Sequence, residues 1–455
     1  MRDAPEAPPA REPVGMSGSF VSLLSCHAAE PSLRRALELC DGLAGWRTAD
    51  RILIKPNLVE WDLRLPMAPW GVVTTTAVIA ALVKALAQRG FRHLTVGEGS
   101  PLPYEAGKGR EVFRRLGYRR LADRYGVRLV DFDEEPFEEV CAGDVRLSVA
   151  RAALGSDRII TVPTLKTHGV CRVSLGIKNL KGCLSRGSKR RCHHPERDLN
   201  QIFPHLADLL PVALNVIDGT FALERGPTHT GRAHRRNVLV ASPDVYAADA
   251  VGAHLLGYTP EEVPHLRYYA GLHRRPLDPA GFPLRGEALE AHRAPLDWQV
   301  PWREDDTGPL AFDKQAITGL AFRKPDDTLC TGCTLVIAPM LVMLMAAHRG
   351  ESFGGLEIVT GKRRRAAAGF ARTLLVGRCA CRRNEDNPNI AERLEIPDCP
   401  ATVEAFVRVM AGIGVRCEPE AYEAFRRRAF ARYRAQDGFT MDPFAPPDAE
   451  AGGDR

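Results

Sequence analysis

Residues 157–196 read DRIITVPTLKTHGVCRVSLGIKNLKGCLSRGSKRRCHHPE, and the stretch changes character three times. Ile159 to Val162 is an apolar run of strand length. It stops at Pro163 and gives way to Lys166, Thr167 and His168. A second turn then sets Lys178, Asn179 and Lys181 between Gly176 and Gly182. A short buried strand that ends in a Pro- and Gly-punctuated loop is how open α/β sheets deliver polar groups to a site. Lysine ammoniums beside glycine-freed backbone amides suit an anion such as a phosphate or carboxylate. A solvated basic loop is the plainer alternative, but these lysines adjoin buried strand rather than polar chain. The cations from Arg186 to His194 follow with almost no apolar residue between them, and read as a mobile lid or plain surface.

Working outward, the flanking chain alternates strand and helix patterns. Phe20 to Leu24, Arg51 to Pro56, Leu94 to Val96 and Val127 to Val130 read as strands. Between them, Val78, Ile79, Leu82, Val83 and Leu86 make one helical face, capped by Thr74 or Thr75 and stopped by Gly90. Such an order predicts an α/β fold: a mostly parallel sheet with helices on both faces. A further strand, Ala213 to Ile217, is expected to end at Asp218-Gly219-Thr220. Four strand ends thus carry Lys55 and Asn57, Glu98, Lys166 and His168, and Asp218. Neither the dinucleotide fingerprint nor the P-loop pattern occurs in the right context, so nucleotide binding by those routes is not expected.

The chain has 455 residues, is 45% hydrophobic and 26% charged, and carries a net charge of +6. That is ordinary globular usage with room for two or three domains. Residues 1–18 are expected to be disordered, 19–264 to form the anion-binding core, and 265–325 to be an extended linker. A smaller C-terminal α/β cysteine domain is expected over 326–437, with a disordered tail over 438–455. The basic runs at 186–197 and 421–434 lack a stacking platform, so nucleic acid is not expected as a partner. The apolar run Leu335 to Ala347 is too short to span a bilayer, so no membrane partner is expected either. Twelve cysteines without a signal peptide indicate a reducing, cytoplasmic setting, where grouped cysteines serve metal or redox chemistry more than disulfides.

Several segments together resemble the domain-of-unknown-function 362 family of iron–sulfur-associated proteins. They are ILIKPNLV (52–59), the threonine-rich helix start at 74–79, VGEG (96–99), PTLKTH (163–168), GIKNLKGC (176–183), VIDG (216–219), GP (226–227) and SPDVYAADAV (242–251). They occur in the family's order. The resemblance implies an α/β fold, a site on these segments and an iron–sulfur cluster, while leaving the reaction open. Many members carry an insertion with CxxCxxCxxxCP spacing. This chain instead has Cys330 and Cys333, a distant Cys379 and Cys381, and Cys399 before Pro400. Five thiols therefore compete for the four places of a 4Fe-4S cluster or a structural zinc. Cys330, Cys333, Cys379 and Cys399 are the expected ligands, Cys379 being favoured over Cys381 because it lies nearer the end of the strand Leu374 to Val376.

The function expected from this is an iron–sulfur oxidoreductase, or the electron-transfer partner of one, acting on a small anionic substrate and served by a redox partner protein. His168, Lys178 and Lys166 are the candidate catalytic residues, with His168 as general acid or base. Lys55, Asn57, Glu98, Asn179 and Asp218 are candidate substrate-binding residues. The alternative is a non-redox isomerase, racemase or lyase that moves protons with lysine and histidine around a structural metal. The Gly-flanked turn of Lys178, which is similar to that of lactate-racemase-like proteins, points the same way.

Overall fold

The computed structural model describes residues 19–58, 67–100 and 108–445. The expected disordered residues 1–18, and 446–455 of the expected tail, lie outside them. The strands of the first half are β1 (Val21–Ser25), β2 (Ile52–Pro56), β3 (Leu94–Glu98) and β4 (Arg128–Asp131), a hairpin of β5 (Phe137–Ala142) and β6 (Val145–Ala150), then β7 (Arg158–Val162), β8 (Thr164–His168) and β9 (Arg172–Val173). After them come β10 (Val212–Glu224), β11 (Arg232–Ser242) and β12 (Leu284–Gly286). Ten of these build one sheet in the order β12-β1-β11-β10-β7-β2-β3-β4, with β8 and β9 branching from β10. The run β10-β7-β2-β3-β4 is parallel throughout, whereas β11 is antiparallel to both neighbours. This is the α/β architecture that the strand–helix alternation implies.

Each parallel strand is apolar on both sides because helices cover both faces. The helix Thr76–Gln88, capped by the Thr75 hydroxyl accepting from the Val78 amide, buries its apolar stripe against one face. Asp244 caps the helix Val245–Leu255 by accepting from the amides of Tyr246 and Ala247. That helix lies in the second core cluster with Ile177, Phe203 and Leu266.

The structure departs from expectation in three places. First, β10 does not end at Asp218; it is a 13-residue strand that runs on to Glu224. A register shift between Gly219 and Phe221 bends it, and a side chain at Gly219 would meet Val238 Cγ1 at 2.4 Å. The apolar residues beyond that bulge, Phe221 to Leu223, are what keep the strand going. Secondly, residues 265–325 are not simply an extended linker. The helix Pro264–His273 buries His265, Leu266 and Tyr269 against the core, and β12 pairs with β1. Thirdly, residues 439–445 are packed rather than loose. Phe439 and Phe444 join the core around Trp70, whose indole N–H donates to the Thr440 carbonyl at 2.8 Å.

The C-terminal unit is a four-stranded parallel sheet of β13 (Leu320–Phe322), β14 (Leu356–Thr360), β15 (Arg372–Val376) and β16 (Arg393–Ile396). The helix Thr331–Ala347 covers it with Val336, Met340, Met343 and Leu344. The final helix, Pro419–Arg434, packs on that helix and sends Tyr433 back to Trp70, 5.4 Å between ring centres. Among the described residues no helix is long and apolar enough to cross a membrane.

Candidate functional site: a basic recess above a buried polar network

The expected site residues separate into two layers. The lower one is a closed network at the carboxyl ends of β2, β3 and β7. Lys55 Nζ ion-pairs with Glu98 Oε1 at 2.6 Å and also donates to the Pro56 carbonyl at 2.9 Å. Glu98 further accepts from the amides of Leu58 and Gly99, both at 3.0 Å. Asn179 reaches down to donate to the Lys55 carbonyl at 3.0 Å and to Thr161 Oγ1 at 3.0 Å. Asn57 donates to Asn179 Oδ1 at 3.2 Å and accepts from Lys166 Nζ at 2.5 Å. Asp218 holds the Thr75 amide and hydroxyl, each at 2.7 Å, and so fixes the start of the helix Thr76–Gln88. Lys55 and Lys166 have no exposed surface, and Asn57, Glu98, Asn179 and Asp218 are buried.

These six side chains therefore spend their hydrogen bonds on one another, on main chain and on the hydroxyls of Thr75 and Thr161. A buried charge is tolerable only when paired and bonded in this way. Gly182 is part of the same packing: a side chain there would fall 2.5 Å from Lys55 Nζ and 2.4 Å from Glu98 Oε1. The network acts as a rigid floor.

Above it lies a recess. The helical turn Gly176–Asn179 and the 3-10 turn Leu180–Cys183 place Lys178 and Lys181 three residues apart, hence on one side. Asp249 fixes that turn, accepting from the amides of Gly176 at 2.7 Å and Ile177 at 2.8 Å. Burial pushes the Asp249 carboxyl up to about 7, against the pull of those amides and of Asn215. Both lysines keep some accessible surface, yet burial among surrounding atoms lowers both, Lys178 to about 8. Cations so placed are partly enclosed, and the half-buried space beside them is the candidate recess. Lys181 Nζ is 2.7 Å from His193 Nε2. Lys178 Nζ sits 6.0 Å from the Phe203 ring centre, with Cys171 and His265 as further neighbours.

His168 closes the recess at the end of β8. Its Nδ1 accepts from the amides of Val170 at 3.1 Å and Cys171 at 3.2 Å. That bonding assigns the neutral ring its proton on Nε2. Burial, then Lys178, Lys181, Lys166 and His193, drive its pKa well below the ordinary histidine value. A ring held neutral with Nδ1 occupied is a hydrogen-bond donor through Nε2.

The segment Arg186 to His194, expected as lid or plain surface, is a built wall. Ser185 caps the helix Arg186–Arg191, and Ser188, Cys192 and His193 are buried. Lys189 donates to the carbonyls of Gly99 and Ser100, both at 3.2 Å. From the C-terminal unit, Lys362 donates to the His193 carbonyl and Arg363 to that of Pro195.

The cysteines sit across this seam. Cys330 is the N-cap of the helix Thr331–Ala347 and is hydrogen-bonded to Cys333. That bond pulls the Cys330 thiol down to about 5 and pushes Cys333 up. Cys379 is an electrostatic neighbour of Cys330 and Cys399, as Cys333 is of Cys399. Two glycines allow the approach. A side chain at Gly332 would meet Pro400 at 2.8 Å, and one at Gly377 would meet Cys333 Sγ at 3.2 Å. Cys381 points elsewhere, donating to the carbonyls of Leu375 at 3.7 Å and Ile396 at 3.9 Å. All twelve cysteines are free thiols. Among the described residues, no three His, Cys, Asp or Glu side chains are drawn together as a metal would draw them. Cys330 is also an electrostatic neighbour of Lys181.

Residues 52–254 match the family model described as Domain of unknown function (DUF362). The match takes in under half of the chain. It covers β2 to most of the helix Val245–Leu255, and so contains the network and the recess but neither Lys362 nor the grouped cysteines. A thylakoid-associated protein of Synechocystis sp. is 28% identical over 294 residues, 62% of this chain and 87% of the relative. Among solved structures, the lactate racemase apoprotein from Thermoanaerobacterium thermosaccharolyticum is similar at 16% identity and a TM-score of 0.31. That match covers 47% of this chain and about half of the other, 53%. At that score it carries no argument.

Within the matched residues, Lys181, His193 and Asp249 were not expected as site residues, nor was His265, which lies beyond the match on the helix Pro264–His273. Lys181 was signalled by its three-residue spacing from Lys178. Asp249 was hidden because a lone aspartate within a helix reads as solvated surface.

Proposed function

We propose that this protein binds a small organic anion in the recess of Lys178, Lys181 and His168 and acts on it beside a metal centre, as an iron–sulfur oxidoreductase or the electron-transfer partner of one. The observation that supports the reading is His193, whose Nε2 lies 2.7 Å from Lys181 Nζ and whose carbonyl accepts from Lys362 of the unit that carries the cysteines. Cys330, Cys333, Cys379 and Cys399 would hold the metal. Four thiols from three segments are a donor set that a 4Fe-4S cluster takes, with structural zinc as the alternative. When bound, such a cluster supplies one-electron transfer. Thiols kept free of disulfides suit a reducing compartment such as the cytoplasm. A redox partner protein would approach over Cys379 and Cys399, the exposed thiols of the four.

The chain's own residues do the rest. Lys178 and Lys181 hold the anion's charge in a site where partial desolvation strengthens the attraction. His168 donates from Nε2 to an oxygen of the bound molecule. The floor of Lys55, Glu98, Asn57, Asn179, Lys166 and Asp218 holds the loops in place, and Phe203 keeps the wall beneath Lys178 dry. A second reading, a proton-transferring isomerase, racemase or lyase, is favoured by one observation: Lys178, lowered to about 8, is a base available near neutrality. Anaerobic purification with iron and sulfide analysis tests the first reading. Turnover unchanged by reductant or oxidant would instead favour the second.

A further inference from the structure

Five lysines are enclosed around the site, and four have partners. Lys55 is paired with Glu98, Lys166 with Asn57, Lys181 with His193, and Lys189 with the carbonyls of Gly99 and Ser100. Lys178 stands apart. Among the described residues its Nζ has no hydrogen bond and no ion pair; it lies over the face of Phe203, 6.0 Å from the ring centre. A desolvated ammonium without a partner is costly, and natural chains retain one where the free amine has work to do.

The surroundings are those of an amine nucleophile. The titratable groups facing Lys178 are the thiol of Cys171, the ammonium of Lys181, and His168, His193 and His265. Burial keeps the three histidines neutral, and no carboxylate is among these neighbours. His265 adds an independent sign that a polar group belongs here. It has no exposed surface, packs edge-on to Phe203 at 5.7 Å, and neither ring nitrogen has a partner. Lys181 is placed for a carboxylate three residues along the turn, and His168 Nε2–H for a carbonyl oxygen.

We infer that Lys178 forms a Schiff base with a small 2-oxo acid, an inference that rests on the recess being an anion site and not on the metal. The unprotonated Nζ adds to the carbonyl carbon to give a carbinolamine. The carbonyl oxygen then leaves as water with the two hydrogens of the amine, and the C=N bond forms without any oxidant or reductant. His168 polarises the carbonyl oxygen during addition, and Lys181 holds the carboxylate.

The test is reductive trapping on the full-length chain, with pyruvate as probe and sodium borohydride to fix the imine, followed by peptide mass mapping. The expected result is a borohydride-dependent adduct on the peptide carrying Lys178, more of it as pH rises through about 8. Lys178→Arg, which keeps the charge, should lose that adduct while still binding pyruvate in calorimetry. No adduct on Lys178 in the wild-type chain, or an adduct spread over surface lysines, overturns the inference. If pyruvate still binds in that case, and binds more weakly in Lys181→Ala, the anion-site reading stands without it. If pyruvate does not bind at all, both fall.

Discussion

Lys181 Nζ lies 2.7 Å from His193 Nε2, and the carbonyl of that same histidine accepts from Lys362 of the C-terminal unit. One histidine thus joins the recess to the unit that carries the grouped cysteines. A hydrogen bond to a charged group contributes roughly 1.5–3 kcal/mol. Lys181→Ala should therefore weaken pyruvate binding by about tenfold or more, read by calorimetry. Unchanged affinity would remove Lys181 from the site.

The Lys55–Glu98 pair makes a different prediction. Both side chains are buried, so removing one partner strands the other charge, at a cost of about 3–5 kcal/mol. Lys55→Met should lower the urea midpoint sharply, and the double variant Lys55→Met with Glu98→Leu should recover part of the loss. A single variant as stable as wild type would show that the floor is not structural.

Asp249 holds both amides at the start of the turn bearing Lys178. Asn at this position turns an NH2 group toward one of those amides, leaving a buried donor unsatisfied. Asp249→Asn should cost about 1–3 kcal/mol and weaken pyruvate binding, although it touches no ligand. Loss of stability with full affinity would contradict the positioning role.

The shift at Lys178 sets a pH dependence. Its folded value, about 8, lies below the ordinary lysine value of 10.5, so between these the unfolded chain binds more protons. The sign follows: the penalty for enclosing this lysine is fully present below about 8 and fades as pH rises toward 10.5. In urea titrations, the stability gained by Lys178→Met should shrink across that window. A gain independent of pH would contradict the desolvated ammonium.

Much of the fold was legible because apolar runs of strand length alternate with capped helical stripes. β2, β3, β4 and β7 each end close to where their apolar run ends. Asp218 was misplaced for a specific reason: Asp-Gly-Thr reads as a turn, yet here Gly219 makes a bulge inside a strand whose far half is apolar. Residues 439–445 read as a tail because two phenylalanines among prolines give no periodic signal, although both insert beside Trp70. Phe439→Ala should cost about 3–5 kcal/mol for that reason. Of the site, the segments were legible and the division of labour was not. Lys55, Lys166 and Lys178 look alike in sequence, and only packing separates the bonded lysines of the floor from the unpartnered lysine of the recess.

The proposed metal centre beside the recess is tested most directly by its composition. Iron and acid-labile sulfide should be measured on anaerobically purified wild type, Cys379→Ser and Cys381→Ser, with a visible spectrum near ~400 nm for the cluster. The prediction is about four iron and four sulfide per chain in wild type and Cys381→Ser, and loss of both in Cys379→Ser. A colourless wild-type protein, with one zinc or with no metal, would contradict it.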